Sequence, residues 1–600
     1  MKRNLVTVKI ARDTLSWLAT HHKANTMSDS THYDAIIIGS GIAGLTAGAL
    51  LARLGKRVLI LEQHWIVGGQ THVFKRRGGF EWDVGIHYIG QMERNELPQQ
   101  VLDYVAGDGL KWSRMPDVFD TFCYPGFEFG VPSRRRHYEE KLIARYPREA
   151  DNVRGYFEDI KRAGAHFGAH IALGALPSPL RDAGRALHGR FNGLARMTTG
   201  DYLQGRFRDP ELRTLVASQW GDLGLPPSLS CFGIHAGVVG HYFDGGYYPV
   251  GGGRSIAKAI VPTIEASGGQ VLTRRTVTDV TLHKGRAVGV RAERVYKGAP
   301  LEEVYTADTI ISTAGAANTY RRLVKHPSVE PLRRKLDDLD RQRGLKGGPS
   351  AVTVYLGLDE DPRSLGVQGE NYWIYQQEDH DQVWRDAHRA LEGDPQLAYL
   401  SFPSLKNPLA KGHTAEVITL VHHDAFSAWQ DKPWMNRGES YETLKATIAD
   451  GLLDLAESRV PGLRERIVHR EISTPVTVTD FTAWPAGAFY GLPFTPKRVE
   501  QRWLGAHTPI KGLYLGGSDV ASMGVMGALM GGFVATAATL TARELVHTVR
   551  AMQPREAGRT TRRIWTDDEA PRRGVAAKAP AIPMNGAAGP AQLDGRAQAR

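Results

Sequence analysis

Gly39, Gly41 and Gly44 stand in a GxGxxG spacing directly after the apolar run 35–38. That order of residue types suits the binding of a pyrophosphate. Gly39 permits a tight turn, Gly41 lets the backbone come close to phosphate oxygens, and Gly44 lets a helix pack tightly on a strand. Ser40 and Ala43 share the loop and count as contacts with it. A helix begins there, so its unpaired amides and positive dipole end face the phosphates, an attraction of roughly 0.3 to 1 kcal/mol per charge. Leu45, Ala49, Leu50 and Leu54 give that helix a sheet-facing side, Gly55 closes it, and 57–61 is the next strand. Glu62 ends the strand, where a carboxylate can accept hydrogen bonds from the hydroxyls of an unphosphorylated ribose, with Gln63 beside it. A lone GxGxxG is weak evidence. Here the strand before it, the helix after it and the acid all agree.

The residues just beyond the acid distinguish an extended flavin nucleotide from a nicotinamide one. Val67, Gly68, Gly69, Gln70 and Thr71 come at once, and then the glycine-rich run 79–90. Paired glycines at this point suit backbone lying flat against a long cofactor, which favours FAD. The matching half comes late in the chain: 512–515 reads as a short strand, 516–519 as a glycine turn ending in Asp519, and 523–540 as a helix of small apolar residues that includes Met526. Asp519 is placed to accept hydrogen bonds from a polyol such as a ribityl chain, with a second helix N-terminus behind it. The uncharged stretch 520–542 is long enough to span a bilayer. Its Gly, Ala and Thr content and the glycine turn before it favour a buried cofactor helix. Between the halves, the glycines 251–253, a helix over 255–267 and strands over 271–274 and 308–314 complete the expected cofactor domain.

At this level of detail the chain resembles the FAD-dependent retinol saturase and carotenoid isomerase group within the phytoene desaturase family. Asp83, Gly85, Ile86, His87, Tyr88, Ile89 and Gly90 match the group's Asp-x-Gly-Ile-His-Tyr-Ile-Gly, and further matches include 246–249 with Gly251 and Gly252, 312–315 with 318–320, 371–375, 402–408, Tyr490 with Gly491, and 513–529. The resemblance covers residues 33 to 545. It departs at Gln70, Thr71 and Met523, where cysteines are usual, and at Arg254, where a small or polar residue is usual; all sit near the expected flavin and substrate channel. The resemblance implies that backbone at Val277 holds the adenine, and that the substrate is a retinoid, carotenoid or related isoprenoid. It also implies one of three outcomes: saturation, desaturation or redox-neutral cis-trans isomerisation. Rab escort proteins and GDP dissociation inhibitors share this fold with the flavin function lost, but intact Gly39, Gly41, Gly44, Glu62 and Asp519 argue against that reading. A flavin moves a hydride, so the protein must orient a polyene, exclude water and handle a proton. His87, Tyr88 and Tyr490 are the candidates for the proton.

Six hundred residues suggest about four domains by length. Cofactor halves so far apart instead imply a discontinuous Rossmann-like FAD-binding domain, 31–115, 245–345 and 500–550, interleaved with a mixed-sheet, helix-capped substrate domain, 116–244 and 346–499. The class is thus α/β and α+β. Residues 1–30 form a basic N-terminal extension without a secretory core, and 551–600 have the Ala, Pro, Arg and Gly bias of a disordered tail. Cys123 and Cys231 are the only cysteines, too few for a disulfide framework. The pairs His21–His22 and His422–His423 lack further ligands at helical spacing, so no metal is expected. The net charge of +11 comes with no nucleic-acid motif, which leaves a lipid surface as the alternative partner. The segment 180–197 mixes basic and apolar residues as an interfacial helix would, against the simpler reading of a solvated helix. Expected localisation is cytoplasmic or at a membrane periphery. No second GxGxxG is present, so the electron donor is a transiently bound NAD(P)H, a quinone or a partner protein. Oligomeric state leaves no mark in the sequence.

Overall fold

Strands that are apolar on both faces need cover on both sides, and the run at the first glycine turn obtains it in a parallel sheet. The computed structural model describes residues 32–93, 96–189, 193–296, 298–341, 348–553 and 564–565. The N-terminal extension with His21 and His22, and most of the tail, lie outside the described residues. Strand His32–Ile38 pairs in parallel with Val58–Leu61, with Ile36 opposite Leu59, and Val58–Leu61 pairs in parallel with Gln270–Leu272. On its other side His32–Ile38 meets the long strand Ala299–Ser312, whose last residues also pair in parallel with Leu513–Leu515. The first part of that long strand forms an antiparallel meander with Arg286–Tyr296 and Thr276–His283. One seven-stranded sheet therefore collects three remote pieces of the chain, the discontinuous Rossmann-like arrangement expected from sequence.

The second sheet is also seven-stranded, in the order Ile467–Ser473, Ser350–Leu358, His413–Val421, Leu397–Ser401, Asn371–Tyr375, Val118–Cys123, Glu128–Pro132. It is mixed: Asn371–Tyr375 and Val118–Cys123 run parallel, and the other neighbours antiparallel. Alternation along its strands divides the side chains between two cores. Phe122, Trp373, Tyr375 and Tyr399 join an aromatic core with helices Ala150–Ala172 and Phe232–His241, while Val352, Val354, Leu400 and Val417 pack against helix Glu439–Glu457.

Glycines bring the two cofactor helices together. Helix Gly524–Thr539 lies on helix Ile42–Arg53 so closely that a Cβ on Gly532 would stand 2.3 Å from the Ala43 carbonyl oxygen. No helix among the described residues is long and apolar enough to cross a membrane. Helix Ser178–Gly189 turns Arg181 and Arg185 inward, where Arg185 Nη1 donates to the Leu504 carbonyl (2.5 Å), and leaves Leu180 and Leu187 each 60% exposed. In the tail, Ile564 bridges Trp112, and the Trp565 amide donates to the Trp112 carbonyl (2.8 Å).

Candidate active site

The first glycine turn is shaped by contacts that allow no side chain. Gly39 has φ of +98°, and a Cβ on Gly44 would stand 2.0 Å from the Gly39 carbonyl oxygen. A Cβ on Gly41 would meet nothing within 4 Å, because that face opens on a cavity of about 1710 Å3. Helix Ile42–Arg53 has no side-chain cap at its N-terminus, and Ile42 and Ala43 line the cavity, so its first-turn amides lie at the cavity's edge. Glu62, also in the lining, accepts hydrogen bonds from the Ser40 amide (2.8 Å), the Ser40 hydroxyl (2.7 Å) and the His64 amide (2.8 Å). A carboxylate has about four acceptor sites, so capacity remains for a ligand hydroxyl. The paired glycines lie against this loop: Gly68 bridges Gly41, the Gly68 amide donates to Ser40 Oγ (3.2 Å), and a Cβ on Gly69 would stand 2.8 Å from the Gly41 Cα.

The late glycine turn opens on the same cavity. Gly517, Ser518, Gly524, Val525 and Ala528 line it, and helix Gly524–Thr539 also lacks a side-chain cap. Two uncapped helix starts, remote in sequence, thus face one space. Pockets that hold a single small ligand usually measure about 300 to 1,000 Å3. This cavity is large enough for an extended cofactor and a second molecule. The glycine cradle, open amides and spare acceptor of Glu62 fit a dinucleotide of the FAD type.

Another wall is largely aromatic, with Trp373 and Tyr399 of the second sheet beside Leu397, Ile418 and Leu420, and Phe489 and Tyr490 from the segment after the short helix Pro485–Gly487. His87 lines the space; its Nδ1 stands 3.0 Å from Oε2 of the fully buried Glu416, outside hydrogen-bonding geometry. Behind it, buried Lys406 donates to the His87 carbonyl (3.0 Å), Asn371 Oδ1 (2.5 Å) and Ser401 Oγ (2.7 Å), and burial lowers its ammonium to about 8. The Tyr88 hydroxyl lies 2.9 Å from both Asp120 Oδ2 and Asp222 Oδ2. Asp222 reaches the cavity, and burial, reinforced by the Asp120 charge, raises its carboxyl to about 8. Tyr490 packs beside Phe489 with ring centroids 4.3 Å apart, and burial raises its phenol.

Of the residues singled out from sequence, Gly39, Gly41, Ala43, Glu62, Gln63, Gly68, Gly69, Gln70, His87, Val277 and Tyr490 line the one cavity. Ser40, Gly44, Tyr88, Asp519 and Met526 stand behind that lining. Ser40 holds Glu62, and Gly44 packs under the turn. Met526 belongs to the core between the sheet and the two cofactor helices. The carboxylate of Asp519 accepts from the backbone amides of Ala316 (2.7 Å) and Leu492 (2.9 Å), tying three chain segments together at the edge of the late turn. Arg254 lines the cavity with its guanidinium 3.2 Å from Glu81 Oε1. Asp120, Asp222, Lys406 and Glu416 escaped sequence reasoning. Asp83 was legible only as a motif position; it anchors the third glycine segment by accepting from the Gly253 amide (2.6 Å).

Comparison with known proteins agrees with this geometry. Residues 42–540 match the family model described as flavin containing amine oxidoreductase. An all-trans-retinol 13,14-reductase from Rattus norvegicus is 35% identical over 532 residues, covering 84% of this chain and 85% of that protein. A chloroplastic prolycopene isomerase from an Oncidium hybrid cultivar is 25% identical, covering 85% and 84%. Among solved structures, the cyclohexylamine oxidase of Brevibacterium oxydans superposes with a TM-score of 0.52 at 15% identity, covering 86% of this chain and all of that one, a likeness of fold.

Proposed function

The chain belongs to the flavin-containing amine oxidoreductase family, in its retinol saturase and carotenoid isomerase branch, and from that premise we propose that it uses FAD to saturate a carbon–carbon double bond of a lipophilic polyene. The observation that carries this reading is the single cavity lined by both glycine turns and by an aromatic wall. In this reading the amides of Ile42 and Ala43 hold the pyrophosphate, Glu62 the adenosine ribose, backbone at Val277 the adenine, and the start of helix Gly524–Thr539 the flavin end. Bound there, the flavin supplies a hydride. The chain's own residues orient the polyene, keep water away and manage the accompanying proton. Trp373, Tyr399, Phe489 and Tyr490 offer flat apolar surfaces suited to a conjugated chain. Residues 31–115, 245–345 and 500–550 serve the cofactor, and 116–244 and 346–499 the substrate.

The electron donor in this reading is a transiently bound NAD(P)H. Support comes from Arg77 and Arg322 in the cavity lining, which favour an anionic visitor, whereas Arg76 and Arg275 there are already paired with Glu471 and Glu303. Delivery of an oily substrate is served by peripheral contact with a lipid surface through the outward Leu180 and Leu187.

Product mass tests the reading. Photoreduced protein is incubated without oxygen with all-trans-retinol and with a carotenoid. A gain of two hydrogens is expected; unchanged mass with a new geometric isomer would make the protein an isomerase, and reaction only with the oxidised flavin would make it a desaturase.

A further inference from the structure

The aromatic wall contains one acid that flavin binding leaves without a task. Asp222 closes the short helix Ser218–Asp222 and is among the residues that line the cavity. Among the described residues its hydrogen-bond partner is the Tyr88 hydroxyl, and that same hydroxyl contacts Asp120. Two hydrogen bonds along this line of three oxygens require two protons, and the phenol brings only one. The second must sit on a carboxyl.

The surroundings decide which. Asp120 receives further hydrogen bonds from Gln219 Nε2 (2.8 Å) and Asn371 Nδ2 (2.9 Å), donors that favour the carboxylate. Asp222 has no comparable donors. The chain of donation therefore runs from the Asp222 acid to the Tyr88 oxygen, and from the Tyr88 hydroxyl to the Asp120 carboxylate. His87 stands apart from this line of three oxygens, its Nδ1 facing Glu416 without a hydrogen bond.

Building on the saturase reading, we infer that Asp222 is the acid that protonates the alkene, with Tyr88 and Asp120 as positioning residues. One alkene carbon gains hydride from the reduced flavin, which is left oxidised. The Asp222 O–H, which donates to the Tyr88 oxygen in the resting site, turns to the bound alkene and breaks as the second C–H bond forms on the neighbouring carbon. Asp222 is left as a carboxylate and regains its proton from water. The groups facing it are Tyr88, Asp120, the phenols of Tyr242, Tyr375, Tyr399 and Tyr490 and, across the Tyr88 ring, the Lys406 ammonium. Burial and the Asp120 charge keep the acid protonated at neutral pH, its carboxyl raised to about 8. That is the state a proton donor needs.

Asp222→Asn, which matches the acid in shape, and Asp222→Glu test the inference in the FAD-loaded protein. Infrared difference spectra at pH 7 are expected to show a protonated-carboxyl band in the wild type that vanishes in Asp222→Asn and persists in Asp120→Asn. With all-trans-retinol as probe, anaerobic reoxidation of photoreduced Asp222→Asn should be slower by about 100-fold. The variant should also lose the decline in rate that the wild type shows as pH rises past about 8. Asp222→Glu should recover part of the rate. Absence of the carboxyl band from the wild type, or an Asp222→Asn enzyme with wild-type rate and pH profile, would overturn the inference and leave the saturase reading standing. A wild type that reduces no polyene would overturn both.

Discussion

Replacing Glu62 with alanine separates cofactor binding from chain stability. The carboxylate is almost wholly buried and accepts three hydrogen bonds from Ser40 and His64, so the substitution leaves up to three donors short of a partner. Each costs about 1 to 3 kcal/mol where water cannot replace the acceptor. The apoprotein should therefore melt lower even without flavin. Independently, a hydrogen bond from a ribose hydroxyl to a charged acceptor contributes about 1.5 to 3 kcal/mol. Its loss raises the Kd for FAD by roughly 10- to 150-fold. Titration of the apoprotein with FAD, monitored by flavin fluorescence, gives the second quantity directly. Melting of apoprotein and holoprotein gives both, since a 100-fold weaker Kd removes about 2.7 kcal/mol of the stabilisation FAD provides at saturation. Glu62→Gln, which keeps one oxygen acceptor, should fall between. A variant that melts lower yet binds FAD with an unchanged Kd would refute the assignment of this acid to the ribose.

Other perturbations act on separate parts of the molecule. His87→Ala should remain yellow with nearly unchanged flavin content while turnover falls by at most about 10-fold, less than for Asp222→Asn, measured by anaerobic flavin reoxidation; a fall of about 100-fold or more would return His87 to the path of the proton. Gly532→Ala forces a Cβ toward the Ala43 carbonyl and should lower stability by about 1 to 3 kcal/mol and release flavin, whereas Gly168→Ala, whose Cβ would meet nothing within 4 Å in a helix, should stabilise by about 0.5 to 1 kcal/mol in denaturant titration. Leu180→Asp combined with Leu187→Asp should reduce co-sedimentation with anionic phospholipid vesicles at least tenfold with melting unchanged, and unaltered binding would dismiss this helix as the contact. The folded chain holds a proton on Asp222 that the unfolded chain releases near its ordinary value of 3.8. Stability should therefore fall as pH rises from about 4 to about 8, and Asp222→Asn should flatten that slope in melts across the range.

How legible each feature was depends on how local its cause is. The turn at Gly39, the helix after it and Glu62 arise from backbone sterics within one βαβ unit, and the sequence spacing carries them almost whole. The late half was readable because a glycine turn and a helix of small residues are also local. The meander Thr276–His283, Arg286–Tyr296 and Ala299–Ser312 was not; its partly exposed, charged strands carry no clean apolar alternation, and only the buried end of the last strand stood out. Helix Ser178–Gly189 was expected to turn its basic side outward. Arg185 instead satisfies backbone carbonyls of a segment more than three hundred residues away, a partner that no periodicity can announce, while buried Arg181 donates to its neighbour Asp182. The acids around Tyr88 were invisible for the same reason. Asp120 and Asn371 meet only because Val118–Cys123 and Asn371–Tyr375 pair in parallel across a long sequence gap.

A crystal structure of the FAD-loaded protein measures where the cofactor lies. One dinucleotide is expected, its phosphates at the amides of Ile42 and Ala43, its ring end beside Gly517, Gly524 and Val525, and open space remaining between the ring and Trp373 and Tyr399. A flavin held by the N-terminal turn alone, with its ring outside the shared cavity or turned from the aromatic wall, would contradict the proposal that the two remote halves build one active site.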